Sequence, residues 1–178
     1  MTARKEINRT TLRITVTALF MAMNVALSSF GVPVPGGHLY LNDVVIVLAA
    51  LLLGPFEAFV VGGVGAFLGD LFFYPTPMFV SLVTHGLQAV VISLISQRVW
   101  QHKPKLASVA AALLGAIIMV VGYTLGRAYI YSTPEYAVLK LPFQFLQAGV
   151  GVVFGLLLCW KCGIKSLYEK TVGHRDSI

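Results

Sequence analysis

The groups able to make directed polar contacts within the apolar body of this 178-residue chain are few, and they fall at helical spacing. His85 and Gln88 stand three apart, Tyr123, Arg127 and Tyr131 are spaced by four, and Lys140, Gln144 and Gln147 occupy i, i+4 and i+7. Each set shares one face of an α-helix. Amides and an imidazole satisfy ring nitrogens and hydroxyls, phenols stack on aromatic rings, and a guanidinium clamps a carboxylate or holds a hydroxyl. That is the chemistry of recognition. His38, Asp43, Asp70 and His85 would make a catalytic set only if some nucleophile or metal spacing backed them, and none does. Cys159 and Cys162 supply half a zinc motif with no second pair, and are read as reduced thiols. No cofactor and no metal is expected.

The elements that must hold these residues are membrane helices. With 57% hydrophobic and 11% charged residues, the chain is too apolar for a soluble domain and reads as one all-α integral membrane unit over 1–178. Short polar or Pro/Gly breaks divide it into six candidate spans at about 11–30, 41–53, 55–71, 78–99, 105–131 and 136–161. The second and third are short for the roughly 20 residues a crossing needs, which suits a bent pair around Gly54 and Pro55. The first apolar run lacks a small-residue cleavage pattern and is read as a span rather than a signal peptide.

Loops rich in Lys and Arg stay cytoplasmic. Arg4, Lys5, Arg9 and Arg13 precede the first span, Arg98, Lys103 and Lys105 surround the fourth connection, and Lys161, Lys165, Lys170 and Arg175 follow the last. Six crossings put all of them on one side, with both termini cytoplasmic. The net charge of +6 is thereby explained by topology, and nucleic-acid binding is excluded. Only Arg127 and Lys140 break the pattern. In this arrangement the three polar stripes lie in the outer half of the membrane, and the inner halves are apolar. An arginine within a span costs at least a few kcal/mol unless it is paired or wet. Arg127 therefore snorkels outward, pairs with Glu135 or Asp70, or faces a partly hydrated cavity that the other stripes share.

Three further stretches shape the outer end and one flank. Ala18, Ala22 and Ala26 form a small-residue stripe on the first span, a seam for a helix of this chain or of another subunit. The segment 31–37, GVPVPGG, is a stiff, tightly turned outer loop leading to His38, Tyr40, Asn42 and Asp43. Asn42 and Asp43 either cap the apolar helix that follows or face a ligand. Gly62, Gly63, Gly65 and Gly69 in the third span permit close packing and match no nucleotide fingerprint. Phe72, Phe73 and Tyr74 beyond them read as an interface belt or as a lid.

The sequence resembles the substrate-binding S components of energy-coupling factor (ECF) vitamin transporters, in the riboflavin/hydroxymethylpyrimidine-like branch. The stretch 18–26, ALFMAMNVA, resembles their first-helix AxxxA motif. Residues 37–43, GHLYLND, running into VVIVLAALLLGP at 44–55, resemble the segment that opens their second helix, and 62–70, GGVGAFLGD, their glycine-rich third helix. Asn42 stands where the branch usually has Gly, and His85-Gly86 where Lys-Gly is common; both departures bear on the substrate.

The resemblance implies a six-helix protein without ATPase activity in a prokaryotic plasma membrane. It would bind a small vitamin from outside, dock its alanine face on a transmembrane coupling (T) subunit, and draw energy from two cytoplasmic ATPases. In such proteins the whole S component is thought to topple within the lipid bilayer. A pocket walled by the last three helices and covered by the 31–43 and 72–77 loops would use His38, Tyr40, Asn42, Asp43, Tyr74, His85, Gln88, Tyr123, Arg127, Tyr131, Lys140, Gln144 and Gln147. The branch favours a hydroxymethylpyrimidine or pyridoxine type of ring, whereas Arg127 and Lys140 suit acidic pantothenate. A self-sufficient channel or proton-coupled carrier is the rival, and it would need ionisable groups through the full thickness.

Overall fold

The computed structural model describes residues 2–172, with side chains from Arg9 onward. Arg175 lies outside the described residues, as do the side chains of Arg4 and Lys5. The elements are α1 (Thr2–Ser28), a hairpin of β1 (Val32–Val34) and β2 (Gly37–Leu39), then α2 (Asn42–Leu52), α3 (Pro55–Phe73), α4 (Met78–Arg98), α5 (Pro104–Tyr131), α6 (Pro134–Lys161) and α7 (Ile164–Val172). The protein is all-α apart from that hairpin, whose strands pair antiparallel with Val32 opposite Leu39. Among the described residues, five helices are long and apolar enough to cross a membrane: Arg9–Ser28 within α1, and α3 to α6. The chain is a multi-pass membrane protein.

Prolines set most boundaries. A residue before proline is driven to extended backbone, and Gly54 obeys with φ −67° and ψ 165°, so α2 stops before it. Pro55, Pro104 and Pro134 each open the first turn of their helix, where the missing N–H is not needed. The Leu53 carbonyl left at the break accepts from Ser93 Oγ at 2.7 Å and Gln97 Nε2 at 2.6 Å. In the hairpin turn, Gly36 follows Pro35 and takes φ +80°, which a turn with proline at its second position asks of its third.

A helix that is apolar on every side must be wrapped. All of α2 except Val44 is buried, and α1, α4 and α6 pack around it. Ile46, Leu53, Val61 and Ile92 form the centre of the core. Against this, α3 and α4 meet backbone to backbone: a Cβ on Gly63 would stand 3.0 Å from the Gly86 Cα and 2.9 Å from the Leu82 carbonyl. Gly63→Leu therefore forces the two helices apart and lowers stability by about 3 kcal/mol. Thermal unfolding in detergent checks this, and an unchanged midpoint contradicts it.

The first helix is the most peripheral, with 17% of its span window buried against 33–50% in the other four. Its inward face is Thr17, Phe20, Asn24 and Ser28. Asn24 Nδ2 donates to the Val61 carbonyl at 2.6 Å, inside a π-type turn of α3 at Val60–Val64 where regular helical bonding is interrupted. The opposite face leaves Ala18, Ala22 and Ala26 exposed, so the chain's own helices do not occupy the alanine stripe. At the end away from the hairpin, Arg13 pairs with Glu57. There too, after a left-handed turn at Gly163, α7 brings Lys165 within 4.4 Å of the Trp160 ring, with Lys105 at 5.8 Å.

Candidate ligand-binding cavity

Every helix from α1 to α6 sends polar residues from the end nearest the hairpin into one cavity of about 510 Å³, part of it open to solvent. From α1 comes Ser28, from α2 Asn42, and from the end of α3 Asp70, with Tyr74 and Pro77 in the connection that follows. The second turn of α4 gives His85, the last three turns of α5 give Met119, Tyr123, Arg127 and Tyr131, and the first half of α6 gives Lys140, Gln144 and Gln147. His38 and Tyr40 close it from the hairpin side. Of the expected site residues only Asp43 and Gln88 are not at the wall. They sit directly behind it.

Asp43 is the hub of that second layer. Its carboxylate accepts from Gln88 Nε2 at 3.1 Å and from Gln147 Nε2 at 2.7 Å. It does not cap α2; one of its oxygens faces α4 and the other α6. Gln88 Oε1 in turn meets His85 Nδ1 at 2.7 Å, and Gln147 Oε1 accepts the Tyr40 backbone N–H at 3.1 Å. A small neighbour makes this possible, since a Cβ on Gly151 would lie 2.7 Å from the Asp43 Cβ.

The hairpin is strapped over the cavity by side chains of α5 and α6. Arg127 Nη1 donates to the Gly36 carbonyl, Lys140 Nζ to the His38 carbonyl at 2.6 Å, and Gln147 receives Tyr40 as above. Arg127 thus reaches neither Glu135 nor Asp70; its guanidinium carbon also lies 5.1 Å from the Tyr131 ring centroid. Pro142, which stands between Lys140 and Gln144, removes one backbone bond of α6, and a π-type turn at Arg127–Tyr131 ends α5, both at cavity level. Gln147→Leu removes the acceptor of the Tyr40 amide. Hydrogen exchange at that amide should then speed up by tenfold or more, and an unchanged rate contradicts the strap.

Aromatic rings gather in two groups. His38 lies 6.2 Å from Tyr40 and 5.6 Å from Tyr74, while deeper in, His85 and Tyr123 meet edge to face at 5.1 Å. The Tyr40 phenol, in the connection between β2 and α2, is pushed up to about 12, first by burial and then by nearby Asp70 and Tyr74. It stays protonated, hence a hydrogen-bond donor, at any physiological pH. Asp70 accepts from Ser81 Oγ, which also contacts the Tyr123 hydroxyl. With the serine hydrogen on Asp70, the tyrosine is the donor to Ser81.

What distinguishes the cavity from packed core is unmet hydrogen bonding. Seven buried side-chain polar atoms lack a partner among the described residues, and five of them belong to cavity residues: His38 Nδ1, Asn42 Oδ1, Arg127 Nε, Tyr131 Oη and Gln144 Oε1. Each such atom costs roughly 1–3 kcal/mol if left dry, so their concentration at one place marks a site awaiting water or a ligand. Ser28, Asp70, Pro77 and Met119 were not expected at the wall. Ser28 had a legible signal, lying one turn beyond Asn24 on the face opposite the alanines.

The family model described as ECF-type riboflavin transporter, S component, matches residues 8–163. The chain belongs to the ECF riboflavin-type S-component family. Two relatives match over most of their length. "Thiamine precursor transporter HmpT" of Lactococcus lactis subsp. cremoris is 31% identical over 156 residues, covering 85% of this chain and 87% of that protein. An "uncharacterized protein in gap 3'region" of Pyrococcus woesei is 32% identical over 136 residues, covering 75% and 89%. As an S component the chain is a substrate-binding subunit for a vitamin or vitamin precursor, and not an enzyme.

Proposed function

We propose that this S component captures a small B vitamin or precursor from outside the plasma membrane of a prokaryote and delivers it inward as part of an ATP-driven complex. The five unpartnered polar atoms around one cavity carry the reading. In this arrangement α2 is a sixth, short crossing, both termini are cytoplasmic, and the hairpin covers the cavity on the outside. The basic residues Arg98, Lys103, Lys105, Lys161 and Lys165 at the opposite end fit that orientation. The whole chain acts as one unit, with the exposed stripe of Ala18, Ala22 and Ala26 docking on a transmembrane coupling subunit and two cytoplasmic ATPases driving it. The sequence has no phosphate-binding loop of its own.

Ring compounds of the hydroxymethylpyrimidine or pyridoxine class rank ahead of pantothenate. The cations that would clamp a carboxylate, Arg127 and Lys140, already donate to hairpin carbonyls. The Lactococcus relative's name, a thiamine precursor transporter, points the same way. Thermal unfolding of the purified protein with each B vitamin and precursor in turn tests the proposal. A ligand present at about a thousand times its Kd stabilises by about 4 kcal/mol, a rise on the order of 10 °C. If none raises the midpoint, capture is refuted; if pantothenate alone does, the ring class is.

A further inference from the structure

We infer that Asp43, although outside the cavity wall, fixes the hydrogen-bonding polarity of the wall at His85, so that the site takes a ring presenting an exocyclic amino donor there and rejects its carbonyl-bearing counterpart. The inference rests on the capture reading above. It starts from one group whose direction cannot be reversed, the Tyr40 backbone N–H. That N–H faces Gln147, so the Gln147 oxygen must point at it and the Gln147 Nε2 must point the other way, at Asp43. A carboxylate only accepts. Gln88 must therefore also offer its Nε2 to Asp43, which leaves Gln88 Oε1 facing His85 Nδ1 at 2.7 Å.

An amide oxygen has no hydrogen to give, and the Asp43 carboxylate lies 3.9 Å from the same nitrogen, so the His85 ring hydrogen sits on Nδ1. Its Nε2 is then a lone pair on a cavity residue, with no partner among the described residues. Gln144 adds to this. Its Nε2 donates to the Val120 carbonyl at 3.2 Å, and its Oε1 is left unpartnered, as is Asn42 Oδ1. Two separate helices, α4 and α6, thus bring acceptors to one part of the cavity, while Tyr40, Arg127 and Tyr131 bring donors elsewhere on its wall. A ligand carbonyl set against this group leaves acceptor facing acceptor, whereas an exocyclic amine meets it.

The same chain of contacts says what Asp43→Asn does. Tyr40 still holds Gln147 in place, so the new side chain must turn its oxygen to Gln147 and its Nδ2 to Gln88. Gln88 then flips and presents its own Nε2 to His85 Nδ1. The imidazole hydrogen moves to Nε2, and the wall gains a donor where it had an acceptor.

Two measurements test this. The ¹⁵N shifts of the His85 ring, assigned with His85→Asn, should report the Nδ1–H tautomer in the wild-type protein and the Nε2–H tautomer in Asp43→Asn. Binding of 4-amino-5-hydroxymethyl-2-methylpyrimidine and of its 4-oxo analogue should favour the amine in the wild type by about tenfold to a hundredfold. That preference should shrink or invert in Asp43→Asn. The Nε2–H tautomer in the wild-type protein, or equal affinity for the two rings, overturns the inference. Should Asp43→Asn not fold, Gln88→Met breaks the relay instead and must narrow the preference. If neither pyrimidine binds, the ring-capture reading falls, and the wild-type spectrum still decides the polarity of His85.

Discussion

Ala22→Trp will strip the coupling subunit and its ATPases from the purified complex while ligand affinity stays within about twofold of wild type. Helices in lipid associate through close backbone approach, and an indole in the middle of a small-residue stripe holds two backbones several ångströms apart. The substitution has nothing to collide with inside the chain, because Ala18, Ala22 and Ala26 all face away from the bundle. The cavity is lined from the other side of the same helix, through Ser28, so the two effects separate. Co-purification at wild-type level would remove the docking role of this stripe. Lost ligand binding would show instead that the indole disturbs the bundle.

Asp43→Ala is expected to be the most damaging change near the cavity. It leaves the Nε2 groups of Gln88 and Gln147 without their acceptor, two buried donors at roughly 1–3 kcal/mol each. Interhelical hydrogen bonds in membrane proteins are often worth less, about 0.6 kcal/mol on average, because a lone partner finds substitutes. Here a buried hub loses both its bonds at once, and about 3 kcal/mol is the expected loss. Ligand affinity should fall by more than a hundredfold, since the strap at Tyr40 and the orientation of His85 both depend on this carboxylate. Calorimetric titration below the lowered unfolding midpoint measures it. An affinity within tenfold of wild type would mean that Asp43 serves packing alone.

Legibility in the sequence followed the physics of each element. Helices α4 to α6 were readable because a crossing needs a long apolar run, and polar residues inside it must converge on something; His85, Arg127 and Gln144 do share one cavity. The proline breaks at Pro55, Pro104 and Pro134 were equally plain. Less visible was the division of labour among those polar residues. Periodicity puts Lys140, Gln144 and Gln147 on one stripe, but only their partners reveal that two of them hold the hairpin while Gln144 keeps a free oxygen. Asp43 read as either a helix cap or a ligand contact, because a carboxylate at a helix start usually caps it. The tertiary contacts of α4 and α6 overrode that local preference. The short strands were hidden because 31–37 is mostly Gly, Pro and Val, and helix α7 because its nine residues are too few for a span.

The buried second helix has a consequence for biogenesis. Eleven residues rise only about 16 Å, roughly half the hydrocarbon thickness, so lipid alone cannot satisfy α2 as it emerges from the ribosome. Its resting place is made largely by α4 and by α6, the latter translated some ninety residues later. The burial of α2 is therefore completed only once α6 has been made.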